Sequence, residues 1–417
     1  MFTTFKLEGR ELRVEGVSLE GIADAYGTPT YVYSKQALVD SHRSIDSAFA
    51  EVPHTICFAM KANGNLAVAR AFAGLGAGAD IVSGGELYKA LKAGIPAERI
   101  VFAGVGKTVP EIAYALESGI LMFNVESEGE LEAIERVAER LGMLAPISVR
   151  VNPDVDPDTN PYISTGMKKH KFGVVGEQAL QLYHKAKQSA HLEPIGIQFH
   201  IGSQLLRAQP IIEATERVLA LATKVRSLGV GLRYLDIGGG LGISYGHDEP
   251  EGPEALARAI VPHVKQSGYH LLLEPGRFLV GNAGCLLTRV LYVKDNGFKK
   301  FVIVDAGMND LIRPSLYDAY HAIEPVRPRA EHETVDVVGP VCESGDFFAR
   351  SRGLPRMESG DLVAIMSAGA YGFTMASNYN ARPRPAEVLV ADGQAKVVRR
   401  RETYEDLVRG EESIQID

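Results

Sequence analysis

The sequence predicts an α/β protein in which a closed, TIM-like (β/α)8 barrel is followed by a mostly antiparallel C-terminal β domain. From about residue 55 to 275, short β-rich apolar runs alternate with longer stretches of helical periodicity, a pattern typical of parallel strands joined by crossover helices. Eight such units span roughly 220 residues, within the roughly 200 to 400 that such barrels use. After Gly281, apolar runs separated by Pro- and Gly-containing turns predict the β domain. An open, doubly wound sheet is the alternative to the barrel.

The barrel strands are predicted from eight short apolar runs. Between them, Ser127 three residues before Glu130 predicts a capping box, Gly142 ends the helix that follows, and residues 36–50 form another helix with one apolar face. In chain order the strand candidates are TICFAM ending at Met60, ADIV at Val82, IVFA at Ala103, ILMFN at Asn124, PISVRV at Val151, IGIQF at Phe199, YLDI at Ile237 and LLLE at Glu274.

The C-terminal β domain is predicted from six further runs: LLTRVLYVK, KFVIVDAG, TVDVVGP, DLVAIM, EVLVAD and AKVVRR. The segment ELRVEGV near the N-terminus also has the composition of a strand, and because it precedes the barrel we expect it to join the β domain. We therefore assign residues 28–280 to the barrel and residues 281–417 to the β domain, joined by an N-terminal strand within residues 1–27.

Composition excludes several classes of protein. The 417 residues carry a net charge of −8, which argues against general affinity for nucleic acid or for a membrane surface. Three unevenly spaced cysteines (Cys57, Cys285 and Cys342) suit neither a disulfide framework nor a metal site, and they fit a reducing compartment. No run of about 18 apolar residues occurs, so we expect no signal peptide or membrane span and a cytoplasmic location.

Reactive and phosphate-binding residue types follow the predicted strands, where a barrel builds its site. Each also has an ordinary interpretation: a solvated lysine, a glycine turn required for packing, a core histidine, or an ion pair at the rim. They are Lys61 after the first strand, Ser83–Gly85 after the second, Asn152 after the fifth, His200–Ser203 after the sixth, Gly238–Gly240 after the seventh and Glu274–Arg277 after the eighth.

Taken together, these residues indicate a phosphorylated aromatic aldehyde, and pyridoxal phosphate fits them. Lys61, in a small-residue turn that would desolvate its amine, would bind the aldehyde covalently. The turn of Gly238, Gly239 and Gly240, with Ser203, would receive the phosphate. His200 would stack on the ring. Glu274 would keep the ring nitrogen protonated, which makes the ring a strong electron sink.

At the level of whole motifs, the chain resembles the fold-type III pyridoxal-phosphate decarboxylases. The resemblance covers nearly the whole chain. The shared motifs are FAMKANGN around Lys61, DIVSGGEL from Asp80, RVNPDVDP from Arg150, HKFG from His170, HIGSQL from His200, LDIGGGLGI from Leu235, EPGR from Glu274, VDAGMNDLIRPSLYDAYH from Val304, GPVCESGDFFA from Gly339 and GAYGFTMASNYN from Gly369.

The resemblance implies a head-to-tail homodimer with active sites at the interface, and it implies further roles. Gly276 and Tyr371 would contact the cofactor, and Arg277 would lie near the cofactor and a substrate carboxylate. Tyr371 would also meet the substrate. Arg313 and Tyr317 would hold the distal carboxylate and Glu343 the distal ammonium. Cys342 of the neighbouring subunit would be the proton donor, so that Lys61, His200 and Cys342 form the catalytic set.

The motifs HIGSQL, RPSLYDAYH and CESGDFF imply decarboxylation of meso-2,6-diaminopimelate at its D centre to L-lysine and carbon dioxide. A substrate with two amino-acid ends needs paired charges at its distal end, and one arginine with one glutamate supplies them. The first alternative is a decarboxylase of the same fold that acts on arginine, ornithine or carboxynorspermidine. Two others are a cofactor-binding homologue without catalysis and an aldolase-like barrel without cofactor.

Overall fold

The computed structural model describes residues 4–156 and 171–411. His170 of the HKFG motif and the last six residues of the predicted β domain lie outside these ranges. The chain forms two compact units. The barrel unit comprises Leu38–Ser244 and Asp248–Leu279, and the β unit comprises Met1–Ala37, Tyr245–His247 and Val280–Asp417. The predicted bounds 28–280 and 281–417 stay a prediction.

The strands and α-helices follow in chain order. The strands are β1 Phe5–Glu8, β2 Glu11–Val14, β3 Val17–Ser18, β4 Thr30–Ser34, β5 His54–Ala59, β6 Gly78–Ile81, β7 Ile100–Phe102, β8 Met122–Val125, β9 Ala145–Arg150, β10 Leu192–Gln198, β11 Tyr234–Asp236, β12 His270–Leu273, β13 Gly284–Asp295, β14 Lys300–Val304, β15 Ile323–Pro325, β16 His332–Val338, β17 Phe347–Pro355, β18 Leu362–Ile365, β19 Ala386–Ala391 and β20 Gln394–Arg399. The α-helices are α1 Leu19–Tyr26, α2 Lys35–Ala48, α3 Leu66–Ala73, α4 Gly84–Ala93, α5 Val109–Ser118, α6 Glu128–Leu141, α7 Gly176–Gln188, α8 Gln209–Ser227, α9 Pro253–Ser267, α10 Arg277–Val280, α11 Arg313–Tyr317 and α12 Tyr404–Leu407.

Strands β5 to β12 form a closed barrel in which every pair is parallel. The ring closes where β12 pairs with β5, with Leu271 opposite His54. The predicted closed barrel is therefore confirmed and the open sheet is excluded. All eight strand candidates are present, and each ends within one residue of the predicted end.

The helix after β8 shows how the chain fixes an element end. Ser127 Oγ accepts a hydrogen bond of 3.2 Å from the Glu130 amide, and Gly142 ends α6 in the left-handed region with φ of 63°. The predicted capping box is wrong in its second half. The Glu130 carboxylate instead accepts from Lys107 Nζ at 2.6 Å and from the Glu126 amide at 3.0 Å. A buried ion pair has replaced the exposed cap.

The β unit is organised around β13, which pairs antiparallel with β4, β14 and β18. Parallel pairs join β14 to β16 and β4 to β19, so the unit is mostly and not wholly antiparallel. Strand β4 lies within the range that the sequence assigned to the barrel. Strand β2, the predicted ELRVEGV strand, pairs with β1 and β3, and the Leu12 amide donates to the Val326 carbonyl at 2.7 Å. Leu12 and Val326 also share one apolar core.

The inside of the barrel unit has two layers of different polarity. Cys57, Val101, Met122, Ile195 and Leu272 form an apolar cluster. Because side chains two residues apart on a strand share a face, the next inward positions toward the carboxyl ends follow these residues. Two of those positions hold the polar side chains Asn124 and Glu274. With the other buried polar side chains of the barrel strands they form what we call the polar layer: Asp80, Asn124, Ser148, Arg150, Gln198, Asp236 and Glu274.

Two glycine substitutions test the strand packing. A Cβ at Gly78 in β6 would lie 2.1 Å from the Arg99 carbonyl oxygen and 3.1 Å from Cys57 Sγ, whereas a Cβ at exposed Gly129 in α6 meets no atom within 4 Å. We expect Gly78→Ala to destabilise the protein by about 2 kcal/mol or more, because backbone must move. Gly129→Ala should stabilise it by up to about 1 kcal/mol. Equal unfolding midpoints for both variants in denaturant titrations would contradict this account.

Candidate active site

Lys61 lies at the carboxyl end of β5, in a short 3-10 turn over Met60–Ala62. Its Nζ forms an ion pair of 2.5 Å with Oδ2 of Asp80, which is fully buried, and its side chain is 36% exposed. The sequence predicts a desolvated amine, whereas in the structure the Lys61 side chain is partly exposed and ion-paired with Asp80. Asp80 both holds the amine at the strand end and offers it a proton acceptor.

Glu274, at the end of β12, is held by amide donors on each of its two oxygens. Asn124 Nδ2 donates to Oε1 at 3.2 Å and Gln198 Nε2 donates to Oε2 at 3.3 Å. The same Asn124 amide donates to Asp236 Oδ2 at 3.3 Å, and Asp236 Oδ1 accepts from the Gly238 amide at 2.9 Å. Three strand ends thus fix the plane of one carboxyl group in the barrel interior.

Burial in the polar layer disfavours the ionised form of Asp236 and Glu274. Burial raises the pKa of Asp236 from 3.8 to about 7. Burial, together with the neighbouring carboxyl groups of Asp236 and Asp80, raises the pKa of Glu274 well above its usual range. Because adjacent buried carboxylates repel, the Asp236–Glu274 pair retains a proton near neutral pH.

His200 follows β10 and is half-buried. Its Nδ1 accepts a hydrogen bond of 3.2 Å from the Gly239 amide, so this nitrogen carries no proton. Desolvation and the nearby cations Arg150 and Lys61 lower the pKa of His200 well below its usual value. The ring is therefore a flat, neutral imidazole. Arg150 itself is buried and pairs with Glu126 at 3.0 Å.

The glycine turn after β11 fits tightly against its neighbours. A Cβ at Gly238, whose φ is 65°, would lie 2.6 Å from the Phe199 carbonyl, and a Cβ at Gly239 would lie 2.3 Å from the Glu274 carbonyl. A Cβ at Gly240, whose φ is 120°, would lie 2.8 Å from Leu205 Cδ1. Packing of three strand ends therefore requires these glycines. Their bare backbone is also left open to close approach by a ligand.

Two further predicted residues follow β12: Gly276 lies in the connecting loop and Arg277 begins α10. Arg277 is buried, and its Nη2 donates to Ser203 Oγ at 3.2 Å, so the hydroxyl and the guanidinium are adjacent. A Cβ at Gly276 would lie 3.0 Å from the Cβ of Ala62 and 3.1 Å from the Cβ of Ala59. Gly276 thereby lets this loop lie against the turn that carries Lys61.

Two buried carboxyl groups of the barrel, Glu274 and Asp80, are consistent with a bound pyridoxal phosphate. Glu274 is a buried carboxyl group bonded to neutral amides, so a protonated ring nitrogen would supply a cationic partner. Asp80 Oδ1 is buried and has no hydrogen-bond partner among the described residues. Lys61 would bind the aldehyde, His200 would meet the ring, and the Gly238–Gly240 turn with Ser203 would take the phosphate.

In the β unit, Arg313 and Tyr317 begin and end α11. Arg313 is buried and donates from Nη1 to Tyr245 Oη at 2.7 Å. Tyr317 is half-buried. Tyr371 lies after β18 with φ of 55°, a conformation that is rare for a residue with a side chain and that is found disproportionately at functional sites.

Cys342 and Glu343 are exposed residues of one tight turn in the β unit. Asp346 holds that turn: its Oδ2 accepts from the Val341 amide and its Oδ1 from the Met308 amide, both at 2.6 Å. The Cys342 amide donates to Asn380 Oδ1 at 2.9 Å, which leaves the thiol at the turn surface. Glu343 Oε2 accepts from Tyr379 Oη at 2.8 Å.

Sequence reasoning missed six members of the polar layer: Asp80, Asn124, Ser148, Arg150, Gln198 and Asp236. A signal was present for two of them, because Asp80 and Asp236 stand inside the otherwise apolar runs ADIV and YLDI. A carboxylate in a strand that is buried on both faces requires a partner, so it marks a functional candidate.

Within residues 4–156 and 171–411, no helix is long and apolar enough to cross a membrane. Over those same residues, no group of three or more His, Cys, Asp or Glu side chains is placed to hold a metal ion.

The fold and the polar layer define a barrel enzyme of the pyridoxal-dependent class. A family model described as "Pyridoxal-dependent decarboxylase, pyridoxal binding domain" matches residues 35–281. Diaminopimelate decarboxylase of Pseudomonas aeruginosa is 51% identical over 409 residues, which cover 98% of each chain. The chain therefore belongs to the diaminopimelate decarboxylase family of pyridoxal-dependent decarboxylases.

Two solved structures with L-lysine agree with this assignment over almost the whole chain. Diaminopimelate decarboxylase from Helicobacter pylori, complexed with L-lysine, is 48% identical with a TM-score of 0.91 and covers 94% of this chain and 98% of its own. The enzyme from M. jannaschii in complex with L-lysine is 39% identical with a TM-score of 0.95 and covers 99% and 98%. The predicted family is confirmed.

The pKa of Asp236 leads to a prediction about stability. Because its pKa is about 7 in the folded chain and ordinary when unfolded, its contribution to stability is complete below about pH 4 and is lost as pH rises through 7. Asp236→Asn stays neutral, so we expect the cofactor-free variant to lose less thermal stability than wild type between pH 5 and 8. Asp24→Asn, at a side chain that is 72% exposed, is the matched control and should follow wild type. Parallel pH profiles of melting temperature for Asp236→Asn and wild type would contradict the assignment.

Proposed function

We propose that this enzyme uses pyridoxal phosphate to remove the carboxylate at the D centre of meso-diaminopimelate, giving L-lysine and carbon dioxide. The observation that carries the proposal is the placement of Lys61, with Asp80 at 2.5 Å, at the same end of the barrel as the amide-held carboxyl group of Glu274. For the substrate, it rests on the relatives of about 50% identity that bear that activity in their name, and on the L-lysine in the related structures.

The barrel residues divide the work between covalent binding and charge control. When bound, pyridoxal phosphate supplies an electron sink for the electron pair that the departing carbon dioxide leaves behind. Lys61 would hold the aldehyde, and Asp80 would accept the proton that the Lys61 amine loses, because the two groups are in contact. A protonated ring nitrogen would give Glu274 the cationic partner that favours its ionised form, and Asn124 and Gln198 hold its carboxyl plane.

His200 and the phosphate-binding residues fix the position of the ring. A neutral imidazole can lie flat against an aromatic ring without competing with Glu274 for charge, and the Gly239 amide sets its rotation. The phosphate dianion is met by the Gly238–Gly240 backbone, by Ser203 and by the Arg277 guanidinium bonded to it.

The distal amino-acid end of the substrate is assigned to the β unit. Arg313 and Tyr317 bind its carboxylate, Glu343 binds its ammonium, and Tyr371 contacts cofactor and substrate. One cation and one anion match one carboxylate and one ammonium, and a carboxylate bound by arginine gains charge-assisted hydrogen bonds. A simple diamine-forming decarboxylase has no use for the cation, because its substrate ends in an ammonium alone.

We further propose a homodimer in which Cys342 of one subunit gives the proton that replaces the lost carboxylate at the site of the other, and a cytoplasmic location. The support for the donor is an exposed thiol on a turn that Asp346 holds rigid. The three cysteines are free thiols, which suits a reducing compartment.

Product analysis tests the reaction. We expect meso-diaminopimelate to give L-lysine and carbon dioxide in equal amounts, and L-ornithine, L-arginine and carboxynorspermidine to give no product at comparable rates. Lys61→Ala should abolish turnover, because it removes the amine that would bind the aldehyde. Lys92→Ala, at a lysine whose Nζ donates to Tyr88 Oη at 3.3 Å, is the control and should retain full activity. Release of a diamine from ornithine at equal efficiency would favour the alternative decarboxylases.

Mixing inactive subunits tests the shared site. Lys61→Ala and Cys342→Ala should each be nearly inactive as homodimers. In a hybrid dimer, one of the two active sites has both groups intact. Random mixing should therefore restore about one quarter of wild-type activity. Mixing Lys61→Ala with the double variant Lys61→Ala/Cys342→Ala restores no lysine and should recover nothing. A mixture of the two single variants that stays inactive would overturn the shared site.

A further inference from the structure

Arg313 is held on one of its terminal nitrogens by two different acceptors. Nη1 donates to Tyr245 Oη at 2.7 Å and toward His321 Nε2 at 3.4 Å. Its guanidinium carbon also lies 5.1 Å from the centre of the Tyr245 ring. A guanidinium is planar, so fixing one terminal nitrogen and one ring contact fixes the direction of its remaining donors.

The partners of His321 determine the state of its ring. His321 Nδ1 lies 2.7 Å from the Met366 carbonyl oxygen, which can only accept, so Nδ1 carries the proton. Arg313 can only donate, so Nε2 has a free electron pair facing it. His321 is fully buried, and these two contacts together require one neutral tautomer. This histidine is therefore an oriented acceptor for Arg313.

Tyr245 and His321 also support each other. Their rings meet edge to face, with centroids 5.2 Å apart and an interplanar angle of 82°. Tyr245 is buried and belongs to the short segment Tyr245–His247 that the β unit includes. His321 is anchored at both ends, since its backbone carbonyl accepts from Arg352 Nη1. Neither residue carries a role in the reaction described above.

We propose that Tyr245 and His321 are positioning residues that aim the Arg313 guanidinium and thereby determine the preference of this enzyme for ligands with a carboxylate at the distal end. The proposal deepens the function proposed above and rests on it. The positioning role belongs to Tyr245 Oη and His321 Nε2, the two atoms that contact Arg313 Nη1, and not to the general packing of the two side chains.

The test compares two competitive inhibitors of the pyridoxal-phosphate-loaded enzyme, L-lysine and cadaverine, which differ only by the distal carboxylate. Tyr245→Phe keeps the ring and removes the Oη acceptor. His321→Asn keeps a donor for Met366 and removes the acceptor, whereas His321→Gln can place an oxygen where Nε2 stands. Tyr320→Phe is the control, because Tyr320 packs on His247 and Arg352.

We expect Tyr245→Phe and His321→Asn each to weaken L-lysine inhibition roughly ten- to hundredfold, the effect of one lost hydrogen bond to a charged group, and to leave cadaverine inhibition unchanged. The KM for meso-diaminopimelate should rise similarly while kcat falls less than threefold. His321→Gln should recover part of the preference, and Tyr320→Phe should behave as wild type. In Arg313→Lys, adding Tyr245→Phe should have no further effect, because the aimed group is gone.

Other outcomes distinguish a failure of the role proposed for Arg313 from a failure of the positioning role of Tyr245 and His321. If Arg313→Lys leaves the ratio of lysine to cadaverine inhibition unchanged, Arg313 does not bind the distal carboxylate and that part of the proposed function fails. If Arg313→Lys abolishes the preference while Tyr245→Phe and His321→Asn preserve it, only the positioning proposal fails. Equal weakening of both inhibitors, or a drop in melting temperature that accounts for the loss, assigns the two residues a merely structural role and overturns the proposal.

Discussion

The constraint on which the barrel depends is the burial of three carboxyl groups, Asp80, Asp236 and Glu274, within one ring of strands. Taking a carboxylate out of water is costly unless a cation, a proton or hydrogen-bond donors compensate it. Each group here has a different compensation. Asp80 pairs with Lys61, Asp236 and Glu274 retain a proton between them, and Asn124 with Gln198 supplies amide donors. A protonated ring nitrogen would need a carboxyl group beside it, and this layer of buried carboxyl groups supplies one. The same side chains would therefore determine both the electrostatics of the barrel interior and those of the cofactor site.

The barrel could be predicted because parallel strands buried on both faces are continuous apolar runs in sequence. The β unit was only partly predictable for the complementary reason. Strand β17 has the sequence FFARSRGLP, whose arginines and glycine hide it, and β15 is only three residues long. Strand β4 is locally clear, yet its partners β13 and β19 lie some 250 and 350 residues further along the chain. Pairing over such separations leaves no trace in a local pattern.

The candidate site divides in the same way. Lys61, His200, the Gly238–Gly240 turn and Glu274 were predictable because topology alone brings strand ends together. The ion pair of Lys61 with Asp80 was not, since nothing in FAMKANGN indicates which neighbouring strand supplies a partner. The residues of the β unit came from resemblance, and their mutual contacts, such as Tyr245 with Arg313, join positions 68 residues apart. Motifs identify chemistry, whereas orientation depends on long-range contacts.

The apolar cluster in the barrel interior lies next to the polar layer. Cys57, Val101, Met122, Ile195 and Leu272 pack together inside the barrel unit, whereas Asp236 and Glu274 stand at the carboxyl-end opening of the barrel. A ligand seated at that opening would seal the pair from the solvent reservoir. While the ligand stays bound, the pair would then keep the protonation state that it had when the ligand entered. The charge of the Asp236–Glu274 pair would therefore depend on the pH at which the ligand bound.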